Sequence, residues 1–199
     1  KHNKVDDYPF GLRKGLILRA DVIYDAVRSI HDFEKYKILY TCPKGKTLNQ
    51  KRSLSLFKEK GLIIIIGYYK GVDSRIFELL PIERISLGDV IYSSGELTAL
   101  AITETIVRLI PGVVGNSDSL YGDSFISGLL EFPQYTVPRE VQDVSVPDVV
   151  VSGNHKKIEA WCRQESLKET LLNKPELLIK TELSESDKQN LITYLKEGE

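Results

Sequence analysis

The chain has 199 residues, 42% of them apolar and 28% charged, with a formal net charge of −1, the balance of an ordinary globular protein with room for one ample domain or two small ones. No apolar run approaches the roughly 20 residues that cross a bilayer, and the opening Lys1-His2-Asn3-Lys4 does not read as a signal peptide, so no membrane association and a cytoplasmic location are expected. Cys42, Cys162 and three scattered histidines are too few for a disulfide framework or a zinc site, and no metal is expected.

Charge is distributed unevenly. Residues 1–70 carry 15 Lys/Arg against 7 Asp/Glu, whereas residues 71–150 carry 4 against 12. That segregation fits a polyanion partner on one face, and equally two stretches that neutralise each other across a fold or a dimer.

The first two-thirds alternates strand and helix patterns. Residues 16–18 form a short apolar run, and Asp21 stands as an N-cap before Val22, Ile23, Ala26, Val27 and Ile30, which share one helical face. Residues 37–41 read as a strand closed by the turn residues Pro43, Lys44 and Gly45. Leu54 and Phe57 mark a short amphipathic helix. The run LIIII at residues 62–66, bounded by Gly61 and Gly67, lacks alternation, so it is expected to be covered on both faces as in a parallel α/β sheet. A further strand is expected at residues 90–92, then a helix from about Glu96 to Ile110, ended by Pro111-Gly112.

Composition changes at residues 115–122 (GNSDSLYG), which read as a flexible linker or a mobile active-site segment. An apolar stretch at residues 125–130 and a connection punctuated by Pro133, Pro138 and Pro147 follow. Ser152-Gly153-Asn154 offers cap chemistry for a helix to about Leu172. Ser184 with Asp187 gives a capping-box start for a last helix, whose apolar face is Leu191, Ile192 and Leu195.

Two glycine-bearing loops stand out, residues 67–73 and residues 85–96. Ligands of parallel α/β sheets bind at the carboxyl ends of strands, and glycines there admit a flat ligand close to the backbone, although each glycine alone also serves as an ordinary turn former. Neither loop has the spacing of a P-loop or a dinucleotide fingerprint. Near the linker, Asp123 is a candidate proton acceptor and Arg108 a candidate donor to a developing oxyanion.

Six segments together resemble the TrmD family of bacterial tRNA (guanine-N1-)-methyltransferases, members of the knotted SPOUT class: VDDYPFG (5–11), IIGYYKGVDSRI (65–76), ISLGDVIYSSGE (85–96), RLIPGVVG (108–115), DSFISGLLEFPQYTVP (123–138) and VPDVVVSGNHKKIEAW (146–161). They occur in family order and at family spacing. The resemblance implies an α/β fold whose parallel sheet carries a deep trefoil knot, plus a small all-helical C-terminal domain. Residues 1–115 would be the cofactor domain, residues 116–124 a flexible linker, and residues 125–199 the helical tRNA-binding domain. S-adenosyl-L-methionine would lie bent in the knot, held by Tyr40, Pro43, Gly45, Gly67, Leu87, Gly88, Asp89, Val90, Ile91, Tyr92, Gly95 and Leu97. Asp123 would be the general base at guanine N1, Arg108 would stabilise charge on the purine oxygen, and Asp7 would help receive the neighbouring guanine. The target would be guanosine 37, flipped out to reach the donor, in a homodimer whose active sites are shared between subunits.

Three departures accompany the resemblance. The family carries a further β/α stretch before the segment matching residues 5–11, so an N-terminal part of the cofactor domain is expected to be missing here. The family's glycine-rich run after PFG is replaced by Leu12-Arg13-Lys14-Gly15. Lys70 stands where the family has a glutamate tied to divalent-metal dependence, so magnesium is not supported. Two other readings share the fold: a cofactor- or tRNA-binding protein without turnover, and a methyltransferase of another RNA.

Overall fold

The computed structural model describes residues 4–11, 14–113 and 123–197, and the chain divides into two compact units, residues 1–115 and 116–199. Unit 1 is mixed α/β. Its centre is a three-stranded parallel sheet in the order β4-β3-β5, built from β3 (Lys37–Thr47), β4 (Leu62–Ile65) and β5 (Ile82–Ser86). A short antiparallel pair, β1 (Asp6–Asp7) with β2 (Ile17–Leu18), precedes it. The helices are α1 (Ala20–Arg28), α2 (Gln50–Phe57), α3 (Ile76–Leu79) and α4 (Glu96–Val107).

The pleat of the sheet explains the three layers. Successive strand residues point to opposite faces, so Ile38, Ile63, Ile65 and Ile82 pack with Ala20 and Val27 of α1 and Ile76 of α3. Leu39, Leu62, Ile64 and Ile85 pack with Leu56 of α2 and Ile102 of α4. Residues 62–65 of the unbroken apolar run therefore pack on both faces, as its lack of alternation predicts, while Ile66 lies past the strand and is exposed. Each fully buried Ile or Leu here, such as Ile38, Leu39, Ile85 and Ile102, stabilises by about 1.5–3 kcal/mol.

Four local expectations are corrected. Asp21 is not the N-cap of α1. Arg19 holds that position, and Asp21 sits in the first turn, where a carboxylate favours the helix dipole and pairs with the Arg19 guanidinium at 2.5 Å. Residues 43–45 do not end β3: the strand continues to Thr47 around a bulge, with Thr41 and Lys46 both registered opposite Ile85. The strand expected at residues 90–92 is a loop, and the strand lies earlier, at β5. Its Glu83 and Arg84 hide the pattern. Glu83 points toward α2 and is matched by Arg52 and by Lys37 at 2.7 Å, while Arg84 lies over the Phe77 ring at 3.9 Å on the opposite face. Finally, α4 ends at Val107 and leaves Arg108 as its C-cap residue.

Unit 2 holds a small hairpin, β6 (Glu140–Val141) with β7 (Val144–Ser145), and two helices, α5 (His155–Asn173) and α6 (Glu185–Glu197). Sequence periodicity missed the hairpin, whose strands are two residues each. Asn154 caps α5 by accepting from the Lys157 N–H at 3.2 Å. At α6, Asp187 N–H donates to the Ser184 hydroxyl (3.1 Å) while the Asp187 carboxylate accepts from Ser184 N–H (3.0 Å), the reciprocal capping box that the spacing predicts. The same carboxylate accepts two bonds from Arg163 of α5, at 3.0 and 2.8 Å, so one buried acid both starts α6 and ties it to α5.

These bonds hold the Asp187 carboxyl down at about 2, the Arg163 guanidinium being the main cause. A folded-state value below the unfolded one, about 3.9, means the contribution is complete above about pH 4 and is lost as pH falls through about 2. Fluorescence of Trp161, the only tryptophan and a residue of α5, should show unit 2 losing about 2 kcal/mol over that window. Asp187→Asn should lower stability at pH 7 and flatten the acid dependence; an unchanged acid slope would show that another group governs it.

Candidate functional site

The segments that follow β4 and β5 meet at Thr41, within β3. This residue is buried, and its hydroxyl accepts from the Gly67 N–H at 3.4 Å. Gly67 in turn accepts from the Gly95 N–H at 3.0 Å, and the Gly95 carbonyl takes the Ala99 N–H at 2.9 Å. The first turn of α4 is thereby tied to the loop after β4. A Cβ on Gly95 would stand 2.1 Å from the Thr41 hydroxyl oxygen and 3.0 Å from the Gly67 nitrogen, so only glycine fits.

Tyr40 supports the same point from below. Its side chain is buried, its hydroxyl lies 2.8 Å from where a Gly67 Cβ would be and 3.7 Å from the corresponding point at Gly71, and its ring packs on Phe77 at 5.6 Å. Burial pushes its phenol up to about 12, with Cys42 adding and Arg84 opposing; it stays protonated at any working pH. Gly45, in the bulge of β3, lies flat on β5: a Cβ there would be 2.3 Å from the Ile85 nitrogen.

After β5 the chain turns at Gly88, whose φ of +145° is a conformation glycine adopts freely. Ser86 holds the turn, its hydroxyl donating to the Gly88 carbonyl (2.9 Å) and accepting from the Gly88 N–H (3.1 Å). Val90, Ile91 and Tyr92 follow as exposed residues, Ile91 at 82%. Leu97 and Leu100 on α4 are exposed as well. Ser94 bonds to Glu96 and holds its carboxyl below the usual range.

The candidate residues thus fall into groups. Tyr40, Gly67 and Gly95 meet around Thr41, a residue that motif reasoning missed because a threonine in a strand carries no signal of its own. Pro43 and Gly45 lie in the bulge, and Leu87, Gly88, Asp89, Val90, Ile91 and Tyr92 form the loop between β5 and α4. Asp7 is exposed on β1, and that segment is laced to the loop after β4: Leu18 N–H donates to the Gly71 carbonyl, Lys70 N–H to Leu16 and Asp73 N–H to Leu18, all at 2.9–3.0 Å. Arg108 and Asp123 belong to different units, both half-buried. Asp123 opens a tight loop: its carbonyl accepts from Ile126 N–H (3.3 Å), Phe125 N–H donates to Leu129 (2.7 Å), and Glu131 N–H donates to the Ser124 hydroxyl (2.9 Å). Leu130 N–H anchors this loop to Thr170 of α5 at 2.9 Å. Residues 116–122 of the expected linker lie outside the described residues.

Among the described residues no three His, Cys, Asp or Glu side chains are grouped to hold a metal ion, and no helix is long and apolar enough to cross a membrane. A surface cleft of about 430 Å³ between α1 and α3 is lined by Arg19, Asp21, Tyr24, Asp73 and Arg75; each of its guanidiniums is held by a neighbouring carboxylate.

Comparison with known proteins shows the family of the chain. The family model described as tRNA (Guanine-1)-methyltransferase TrmD matches residues 1–180. The chain belongs to the TrmD family. Among its relatives, a protein of Staphylococcus carnosus named tRNA (guanine-N(1)-)-methyltransferase is 44% identical over 197 residues, covering 99% of this chain and 80% of the relative. The protein of that name from Staphylococcus epidermidis (strain ATCC 12228) is 44% identical over 196 residues, 98% of this chain and 80% of the relative. The one from Staphylococcus aureus (strain Newman) is 43% identical over 201 residues, 100% and 82%. These TrmD relatives are enzymes by name.

The contact at Thr41 makes a quantitative expectation. Gly95→Ala should cost about 1–3 kcal/mol by overpacking in chemical denaturation. Combining it with Thr41→Ala, which removes the colliding hydroxyl, should give less than the sum of the two single losses. Additive losses would show that the two residues do not meet.

Proposed function

We propose that this chain transfers the methyl group of S-adenosyl-L-methionine to N1 of guanosine 37 in tRNA. The observation that carries this is the match of residues 1–180 to the TrmD family model, in a chain where Gly67 and Gly95 meet at Thr41 of the parallel sheet. The donor supplies an electrophilic methyl group when bound.

The residues present fit the flat adenine of such a ligand. Gly88 has open space where a side chain would stand, with Val90, Ile91 and Tyr92 as exposed apolar surface after it, while Gly67 and Gly95 are packed against Tyr40 and Thr41 and fix the neighbouring loops. Tyr40, Pro43, Gly45, Leu87, Asp89 and Leu97 complete the set around the adenine and the methionine. The chain leaving β5 returns past Thr41 of the central strand to bond with Gly67 beyond β4, which supports a knotted arrangement of these loops.

Guanine N1 carries a proton and is a poor nucleophile. Asp123 removes that proton as the methyl group is attacked, and Arg108 donates to the purine oxygen as charge develops there. Alignment supplies much of the remaining rate, since the donor needs positioning more than activation. Asp7 receives the neighbouring guanine. Residues 125–199 grip the tRNA, residues 116–124 link the units, and the target base is flipped out of its stack. Two copies share each active site; the exposed Ile91, Leu97 and Leu100 supply apolar surface for that association. Nothing in this scheme routes through a divalent ion, and the protein works in the cytoplasm.

Purified protein with S-adenosyl-L-methionine and unmodified tRNA bearing two guanosines at the anticodon edge should yield N1-methylguanosine at position 37. Donor binding by calorimetry with no product would instead identify a binding protein, the reading that Lys70 favours. The same modification on another RNA would move the substrate. Asp123→Ala should slow transfer by about 10²–10⁴-fold while donor affinity stays within a few-fold; loss of donor binding too would make Asp123 structural.

A further inference from the structure

The loop that opens at Asp123 has a backbone shape few residues adopt. Phe125 takes φ +74°, a region in which a bulky side chain is strained, and Gly128 takes φ +83°. The loop closes on itself. Ile126 N–H donates to the Asp123 carbonyl at 3.3 Å, Gly128 N–H to that of Phe125 at 3.4 Å, and Phe125 N–H to that of Leu129 at 2.7 Å. The Ser124 hydroxyl accepts from Glu131 N–H at 2.9 Å, so residues 123–131 form one closed piece of backbone. Such a shape persists only where its surroundings fix it, and two threonines from later parts of unit 2 do so.

Thr170 is fully buried on α5, at 0% exposure. Its hydroxyl donates to the Ser166 carbonyl one turn earlier, at 2.6 Å, the bond by which a helical threonine commonly satisfies its proton. The oxygen keeps its capacity to accept, and it takes Leu130 N–H at 2.9 Å. Thr181, which follows the short helical turn Pro175–Lys180, holds the loop at a second point. Its hydroxyl lies 3.0 Å from the Gly128 carbonyl and 2.9 Å from that of Leu177. A Cβ on Gly128 would stand 2.6 Å from the same oxygen, so loop and threonine are in direct contact. Between the two anchors Leu129 is buried, at 1% exposure, and the loop cannot lift without exposing it.

Apolar contact would cover the loop but would not place it, because burial has no direction and a hydrogen bond does. Two directional anchors, at residues 128 and 130, leave the loop one position against α5. Such definition matters where the first residue of the loop must meet a substrate proton, since a catalytic group has to be held within about 0.5 Å of its working place. We infer that Thr170 and Thr181 are positioning residues for methyl transfer, setting through this loop where the Asp123 carboxylate stands. This rests on the proposed role of Asp123 as the base that takes the guanine proton. Both threonines act on the loop backbone, and neither is asked to touch the guanine.

The test is single-turnover methyl transfer by the full chain at saturating S-adenosyl-L-methionine and unmodified tRNA, with donor affinity from calorimetry and tRNA affinity from fluorescence anisotropy. Thr170→Val keeps the shape of the side chain and deletes the acceptor. It should slow transfer by about 10–10²-fold, the scale of a misplacement of about 1 Å, with both affinities unchanged. Thr170→Ser returns the oxygen and should restore most of the rate; Thr181→Val and Thr181→Ser should repeat the pattern. In an Asp123→Ala background Thr170→Val should cost nothing further, because a residue that acts through Asp123 has nothing left to position. Asp187→Asn, which weakens unit 2 away from the loop, should transfer at the wild-type rate, with Trp161 fluorescence showing that each variant is folded in the assay. Valine variants at the wild-type rate, beside an Asp123→Ala variant that is slow, would overturn this inference and leave the proposed function standing. So would a loss that persists in full without Asp123, an equal slowing by Asp187→Asn, or valine variants at both positions that do not fold. A wild type that transfers no methyl group would remove both.

Discussion

The hydroxyl of Thr41 is the point to which unit 1 is built. It lies within the central strand, takes the Gly67 N–H and faces the bare α-carbon of Gly95. Three segments distant in sequence are brought within one van der Waals contact there, and none can move without the others. The Gly95 carbonyl starts α4, and α4 delivers Ile102 to the core it shares with Leu39, Leu56 and Ile85. Packing and site therefore have a common fixed point.

Charge plays a narrower part, and it is used to make polar residues acceptable inside a sheet. Glu83 would be poorly placed on a strand facing α2, but Arg52 and Lys37 both answer it. Arg84, on the other face, spreads its guanidinium over Phe77, which also packs against Tyr40. The aromatic ring thus links a charged residue of β5 to the tyrosine beneath Gly67. In unit 2, Asp187 does comparable work alone, serving the start of one helix and the guanidinium of another. Among the described residues one buried side-chain atom, Arg52 Nε, has no hydrogen-bond partner, so the pairing of Glu83 leaves part of that guanidinium unsatisfied.

Much of this was legible in the chain itself, for reasons that differ by element. The run at residues 62–66 announced a strand covered on both sides because a short β-branched apolar run between two glycines suits a parallel sheet, although Ile66 falls outside the strand and is exposed. Asn154 and the Ser184–Asp187 pair announced helix starts because capping is local chemistry. What stayed hidden depended on partners far away in sequence. β5 looked polar because the residues that match Glu83 and Arg84 lie on α2, β3 and α3. Residues 43–45 looked like a turn because the ladder that carries β3 past them belongs to β5. The glycine loops were visible as loops, but the role of Thr41 was not, since an unremarkable strand threonine becomes central only once Gly67 and Gly95 arrive beside it.

The register of β3 against β5 has one more meaning. Thr41 and Lys46 share the same opposite residue, Ile85, after which Thr47 faces Ser86 in regular order. Residues 42–46 are therefore supernumerary to the ladder: without them, Thr41 opposite Ile85 would pass straight to Thr47 opposite Ser86, and the strand would be continuous. Pro43 and Gly45, two of the residues assigned to the donor, belong to an insert that the sheet does not need for its own closure. The ladder on either side of the insert is in step, so changes in its length would leave the pairing of β3 with β5 in register.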